Sequence, residues 1–186
     1  MVRPYELMDE EALVAIEEKA DEILRDIGVE FHDDKQALAA FKDAGATVDG
    51  SRVRFDPGMA RSIIQASAPN EFVQHARNVD RSVTFGGDHV VLAPNYGPPF
   101  VYEAGERRYA TLADFDRFVK LTQVAPQLQH LSGPICEPVD KPVTKRHLDM
   151  ARGHIVYSDK PFMGAVTSPE RAADSVEINR IVFGQE

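Results

Sequence analysis

Apolar and polar positions alternate in recognisable periods over the first part of the chain. Over residues 10–27 the apolar side chains recur in steps of three and four, which predicts one face of a helix. The residues of this face are Leu13, Ile16, Ala20, Ile23 and Ile27. Asp33 and Asp34 are suited to cap a second, shorter helix. In the stretch ATVDGSRVRF, the pair Asp49-Gly50 lies between β-prone residues and predicts a hairpin.

The pattern continues with a third helix and two short strands. Pro57 suits the first turn of a helix, so Asp56-Pro57 predicts a helix start. Strands are predicted near residues 72–77 and 82–85, separated by polar turn residues. Together these elements predict a small α+β region over residues 1–89.

From residue 90 onward the order of elements changes. Short apolar strands are predicted at residues 90–93, 128–132 and 161–165, and each precedes a helical pattern. Helix starts are predicted at Thr111, where Thr111 and Asp114 have capping-box spacing, at Thr144 and at Ser168-Pro169. A hairpin with Gly105 at its middle is predicted over residues 101–109. Alternating strands and helices are typical of parallel sheets with right-handed crossovers.

This alternation predicts an α/β fold, a partial TIM (β/α)8 barrel. A complete barrel needs eight units and about 250 residues. Residues 90–186 supply three units, so we expect the opening of an incomplete barrel in a truncated chain. Open strand edges would make such a chain marginally stable or self-associating, and a homo-oligomer is one expected outcome.

The charge balance narrows the classes of partner. The chain has 186 residues with 30 acidic and 21 Lys or Arg side chains, a formal net charge of −9. Nucleic acid and anionic membrane surfaces are therefore unexpected partners, because both require a basic surface. Cys136 is the single cysteine, so no internal disulfide forms. With no apolar signal core at the N-terminus, the expected location is cytoplasmic.

Two pairs of side chains invite a chemical interpretation. His147 and His154 lie seven residues apart on one predicted helix face, but a third metal ligand is missing nearby. We favour a packing or surface role and expect no metal site. His130 and Cys136 flank a predicted strand end and could form a Cys/His nucleophile. A lone cysteine in an apolar context is more often buried packing, which we favour here as well.

The loop 93–100, rich in Pro and Gly, is the best candidate for binding. It follows a predicted strand directly, and in βα barrels the carboxyl ends of the strands carry the substrate. Asn95, Tyr96 and Phe100 are the candidate substrate-binding residues, since aromatic faces attract quaternary ammonium groups. Gly133 and Gly164 mark the next two strand ends and would form the floor. A rigid loop whose aromatic rings fill packing gaps explains the same residues equally well.

Three long stretches of the chain resemble the N-terminal region of the trimethylamine methyltransferase family. They are EILRDIGVEFHDDKQALAAFKDAGATVDGSRVRF, GGDHVVLAPNYGPPFVYEAGERRYATLADFDRFVKL and PVDKPVTKRHLD. The resemblance covers essentially all 186 residues in the same order. It extends over the whole segment and does not depend on one catalytic signature.

The resemblance implies a TIM barrel that moves a methyl group from a methylated amine to the cobalt of a separate corrinoid protein. Cobalamin is then carried by that partner, and none is expected on this chain. Some family members hold the amine with pyrrolysine, and others act on quaternary amines such as glycine betaine. No catalytic residue of the family falls on a position of this sequence, so the catalytic residues are unknown.

Two alternatives remain open at this point. The chain could be another TIM-barrel enzyme such as a lyase, which a catalytic lysine or metal-binding carboxylates at the strand ends would favour. It could also be an inactive fragment or a non-catalytic interaction module. Binding of a corrinoid protein by this chain alone would distinguish an interaction module from an inactive fragment.

Overall fold

The computed structural model describes residues 6–184 of the chain. These residues divide into two compact units, residues 6–70 and residues 71–184. The sequence predicted a boundary between residues 89 and 90, which stays a prediction. Among the described residues, no helix is long and apolar enough to cross a membrane.

The first unit combines three helices with a small antiparallel sheet. In chain order its elements are α1 (Glu10–Asp26), β1 (Val29–Glu30), α2 (Lys35–Asp43), β2 (Thr47–Asp49), β3 (Arg52–Arg54) and α3 (Met59–Ser67). The sheet order is β1-β3-β2, with Val53 paired to both neighbouring strands. Asp34 accepts a hydrogen bond from the Ala37 N–H, which confirms the predicted cap of α2.

Burial in the first unit is shallow. Among the described residues 6–70, the buried residues are Ala46 and Val53. The rings of Phe31, Phe41 and Phe55 pack beside them, with centroids 4.6 and 5.5 Å apart. The predicted apolar face of α1 exists as a stripe along the helix, but all five of its residues are exposed.

The second unit has two hairpins and three helices of 13, 12 and 15 residues. Its elements are β4 (Glu71–Gln74), β5 (Val83–Gly86), β6 (Phe100–Glu103), β7 (Glu106–Tyr109), α4 (Leu112–Val124), α5 (Arg146–Tyr157) and α6 (Pro169–Phe183). Strands β4 and β5 pair antiparallel, as do β6 and β7. A 3-10 turn at Val79–Arg81 lies between β4 and β5. The buried apolar core includes Phe115, Val119 and Leu131.

Two of the three predicted helix starts in this unit are confirmed. Thr111 and Asp114 form a reciprocal capping box at the start of α4, and Ser168 caps α6 ahead of Pro169. The predicted cap at Thr144 is wrong. The N–H groups of Lys145 and Arg146 both donate to the Pro142 carbonyl, so Thr144 lies inside a turn and α5 begins two residues later.

The strands predicted at residues 90–93, 128–132 and 161–165 do not form regular strands, so this prediction is wrong. The three segments have no regular secondary structure and are linked by isolated backbone hydrogen bonds. Gln129 N donates to Leu92 O at 3.0 Å, Leu131 N to Pro161 O at 2.9 Å, and Met163 N to Ser132 O at 2.9 Å. So few bonds do not make a continuous ladder, and proline within and beside the segments removes donors.

Candidate functional site

Residues 94–99 form a loop that lies against the residues following the segment 128–132. The Gly97 N–H donates to the Pro134 carbonyl at 2.7 Å, and the Glu137 N–H donates to the Pro98 carbonyl at 3.0 Å. Because Leu92 also accepts a bond from Gln129, the two chain segments stay adjacent before and after residue 94. The sites predicted after residues 93 and 132 are therefore neighbours.

Tyr96 and Gly133 are the two predicted site residues that the structure brings into contact. A Cβ atom at Gly133 would lie 2.4 Å from Cε2 of the Tyr96 ring, far inside van der Waals contact. The Tyr96 ring can lie this close because residue 133 has no side chain. Tyr96 is nevertheless 59% exposed, so part of the ring remains accessible.

The other predicted site residues have different surroundings. Asn95 is exposed on the same loop. Phe100 begins β6, where its ring stacks on Tyr109 with centroids 4.8 Å apart. The Arg107 guanidinium lies 3.5 Å from the Phe100 centroid, so a cation of the protein itself already occupies this ring. Gly164 lies at the third segment, where a Cβ would be 3.0 Å from Ser175 Oγ.

The buried side chain of His154 contacts the backbone of Gly133. Its Nε2–H donates to the Gly133 carbonyl at 3.1 Å, and its ring lies between Phe115 and Phe162 with centroids 5.0 and 4.8 Å away. Burial lowers the pKa of His154 to about 4. The imidazole is therefore neutral at pH 7 and serves as a fixed donor for the backbone under Tyr96.

His147, the other histidine of this helix, is also buried. Its Nε2 lies 2.7 Å from Asp174 Oδ2 and so links α5 to α6. Within the described residues, no group of three or more His, Cys, Asp or Glu side chains is arranged to hold a metal ion. The contacts of both histidines are those of packed structural residues.

A polar network that the sequence did not reveal joins the second and third segments. The Ser132 N–H donates to His130 Nδ1 at 2.8 Å, which leaves the ring hydrogen on Nε2 to bond Gln74 Oε1 at 2.9 Å. Gln74 Nε2 in turn donates to the Phe162 carbonyl at 2.9 Å. Ser132 has a positive φ of 66°, a strained conformation directly before Gly133. The network holds this strained turn in place.

Lys160 is a second buried polar group without a sequence signal. Its ammonium donates to the carbonyls of Thr122, Ala125 and Leu128 at 2.6, 2.9 and 2.6 Å. These carbonyls close the C-terminal end of α4 and lead into the second segment. Lysine is suited to this position because the end of a helix carries partial negative charge.

Cys136 does not have the properties of a nucleophile. The thiol is buried, and burial together with the nearby Asp114 and Glu137 carboxylates raises its pKa to about 12. Nucleophilic attack requires the thiolate, which is scarce at neutral pH under these conditions. This favours the packing interpretation of Cys136.

Comparison with known proteins identifies the family. Residues 1–186 match the family model described as "Trimethylamine methyltransferase (MTTB)". The chain belongs to the trimethylamine methyltransferase family. The resemblance of the three sequence stretches to this family is thereby confirmed.

Two curated relatives place the chain within the family. It is 42% identical over 181 residues to "Glycine betaine methyltransferase" of Desulfitobacterium hafniense (strain Y51), a match over 97% of this chain and 37% of the relative. It is 28% identical over 157 residues to "Proline betaine:corrinoid methyltransferase" of Eubacterium limosum, over 78% of this chain and 30% of the relative. The chain thus spans about a third of the length of these relatives.

Proposed function

We propose that this chain forms the opening part of a methyltransferase that moves a methyl group from a quaternary amine to a corrinoid protein. Membership of the trimethylamine methyltransferase family supports the methyl transfer. The names of the two relatives specify betaines as methyl donors and, in one case, a corrinoid as acceptor. Betaines carry a permanent cationic nitrogen, which favours a quaternary over a tertiary amine here.

We place the donor at the carboxyl ends of three βα units of a partial TIM barrel. The bonds Leu131–Pro161 and Ser132–Met163 advance in the same direction along both segments, as in a parallel pair. Helices α4, α5 and α6 each follow one of the three segments in sequence. A continuous parallel ladder would need the neighbouring strands of a closed barrel on both sides.

The contact between Tyr96 and Gly133 is the observation that carries the substrate site. It fixes an exposed aromatic ring at the carboxyl end of the first two segments, where a βα barrel binds its ligands. The negative face of such a ring attracts a quaternary ammonium group by about 0.5–2 kcal/mol, depending on desolvation. In this proposal Asn95, Phe100 and Gly164 line the outer part of the site.

The chemistry requires little proton handling from this part of the chain. The bond between the methyl carbon and nitrogen breaks while the methyl carbon bonds to cobalt, with both electrons of the new bond supplied by Co(I). The pair of the broken bond stays on nitrogen, so a quaternary donor leaves as a neutral tertiary amine. Tyr96 would therefore orient the cation and exclude water from it, without a general acid.

The corrinoid protein is the proposed partner, and its cobalamin would accept the methyl group. No cofactor is then required on this chain.

A cytoplasmic location agrees with the single cysteine and the acidic composition. The acidic balance also suits a cationic substrate, because it raises the local concentration of cations.

A chimera tests this proposal directly. The matching part of the Desulfitobacterium hafniense relative, 37% of its length, is replaced by this chain, and methyl transfer from glycine betaine to cob(I)alamin is followed by visible absorbance. We expect the chimera to turn over glycine betaine. Failure of a well-folded chimera to react with any methylated amine would contradict the proposed function.

The role of Tyr96 is tested in the same chimera with two inhibitors. We compare glycine betaine analogues that differ in charge, one with a quaternary ammonium and one with a neutral tert-butyl group. Tyr96→Ala should weaken binding of the cation more than that of the neutral isostere, while Tyr96→Phe retains the ring and the difference. Tyr102→Ala, at a 74% exposed position on the hairpin, is the matched control. Equal losses for both inhibitors would indicate packing alone.

A further inference from the structure

The apolar stripe on α1 has no partner within the described residues of its own unit. Leu13, Ile16, Ala20, Ile23 and Ile27 form this stripe, and the four large side chains are 45%, 53%, 53% and 58% exposed in chain order. The helix packs on its own unit through another face. There Asp21 accepts from the Gly58 N–H, and Leu24 O accepts from the Phe55 N–H. The stripe is therefore not the face through which α1 makes these contacts with its own unit.

The spacing of the stripe is that of a helix-pairing surface. Steps of three and four over Leu13 to Ile27 confine the five side chains to about 80° of the helix circumference and extend about 21 Å along its axis. Ala20 lies at the middle of the stripe, where a small side chain permits close approach of a second helix. A narrow stripe of this kind fits one helix better than a sheet or a flat surface.

The charges beside the stripe favour an identical helix as the partner. Lys19 and Asp26 are seven residues apart, so they lie in line on one border of the stripe. When two copies pair antiparallel about a two-fold axis, this border faces itself. Lys19 of each copy then lies opposite Asp26 of the other, which makes two attractive pairs. In a parallel pair, Lys19 would instead face Leu24, and the charge match would be lost.

We infer that two copies of this chain associate through antiparallel pairing of their α1 stripes. Ile16 packs opposite Ile27, and Ala20 opposite Ile23, in the register set by the charge pairs. The present partners of Lys19 and Asp26 are Glu22 and Arg25, exposed neighbours on the same helix. Exchanging such exposed pairs for contacts to the second copy costs little.

Sedimentation of the 186-residue chain tests the inference. One helix pair buries less surface than a standard interface. We therefore expect a reversible dimer with a dissociation constant between about 10 µM and about 1 mM. Ile23→Lys should raise the dissociation constant at least about tenfold, because it places two charges in the apolar seam. Val14→Lys is the matched control: it adds the same charge to α1 at a 43% exposed position off the stripe, and it should dimerise as the wild type does.

Charge reversal tests the antiparallel register itself. Lys19→Glu and Asp26→Lys each create two repulsive pairs, and each should weaken the dimer about fivefold. The double variant restores both attractions and should recover wild-type affinity within about twofold. A chain that stays monomeric throughout the range overturns the inference, as does a dimer that tolerates Ile23→Lys. A double variant as weak as the single variants overturns the antiparallel pairing. Circular dichroism verifies that every variant keeps its helix content.

Discussion

The two units of this chain achieve order in different ways. Residues 71–184 enclose a core in which Phe115, Val119 and Leu131 are fully shielded from solvent. Charged and polar groups such as His130 and Lys160 are buried beside it. In the described residues 6–70, burial is confined to Ala46 and Val53, and the apolar stripe of α1 is exposed.

This difference shows that local interactions and long-range contacts contribute unequally to the stability of the two units. The first unit is held by caps, tight turns and a three-stranded sheet of short elements. The second is held by side chains that bond backbone atoms distant in sequence, as Lys160 and Gln74 do. We therefore expect buried substitutions to act more strongly in residues 71–184 than in residues 6–70, where backbone substitutions should act about as strongly as buried ones.

The largest effect is expected for Phe115→Ala. Removing this fully buried ring should lower the free energy of unfolding by about 4 kcal/mol, through lost burial and the cavity left behind. Val53→Ala, at the most buried position of the first unit, should cost about 2 kcal/mol. Urea unfolding, with hydrogen exchange resolved by peptide, measures both changes and locates them. Equal effects would remove the contrast between the units.

A smaller loss is expected for Lys160→Met. The apolar side chain fills the same space but removes the buried ammonium that donates to the carbonyls of Thr122, Ala125 and Leu128, at a cost of about 3 kcal/mol. Lys120→Met is the control, because Lys120 is exposed on the same helix and contacts the Tyr157 ring. It should change stability by less than about 1 kcal/mol. A Lys160 variant as stable as the control would contradict the role assigned to this ammonium.

Acid should destabilise the second unit through His154. Its pKa is about 4 in the folded chain and close to 6.5 when unfolded, so the unfolded state binds the additional proton between these values. Stability is then retained above about pH 6.5 and lost as the pH falls towards 4, by about 3 kcal/mol in total. Urea midpoints at several pH values measure the slope. His154→Phe should reduce this slope.

Effects of about 2 kcal/mol or less are expected at two glycines of the first unit. Gly28 has a φ of 71°, and a Cβ atom there would lie 2.3 Å from the Val53 carbonyl oxygen. Gly28→Ala should therefore destabilise the unit by about 2 kcal/mol through backbone strain and this clash. Gly50→Ala shares the positive φ but meets no atom within 4 Å, so its cost should be about 1 kcal/mol. Thermal unfolding and peptide-resolved exchange compare the two variants.

Local sequence signals predicted most of the elements. The capping box of Thr111 and Asp114, the cap at Asp34 and the turn at Gly50 all lie where the pattern placed them. Thr144 failed as a cap because Pro142 organises the preceding turn. A capping residue identifies a helix start only when nothing nearby offers the backbone another bond.

The candidate site was predicted in part. The sequence named Tyr96 and Gly133 by their places after apolar segments, and the structure brings the ring onto the glycine. The support beneath them, from His154 and from the network of His130 with Gln74, left no local signal. The bond from His154 to Gly133 spans 21 positions of the sequence, and the bond between His130 and Gln74 spans 56. Periodicity and capping patterns carry no information over such separations.

The sequence by itself determined the family, the helices, the caps at Asp34, Thr111 and Ser168, and the short hairpins, because each depends on neighbouring residues or on similarity along the whole chain. Tertiary structure alone decided which apolar faces were covered. It left the regular face of α1 exposed, and it joined the segments 90–93, 128–132 and 161–165 by single bonds instead of ladders. The physical reason is that burial and strand pairing depend on partners distant in sequence, whereas periodicity reports only that a face is suited to being covered.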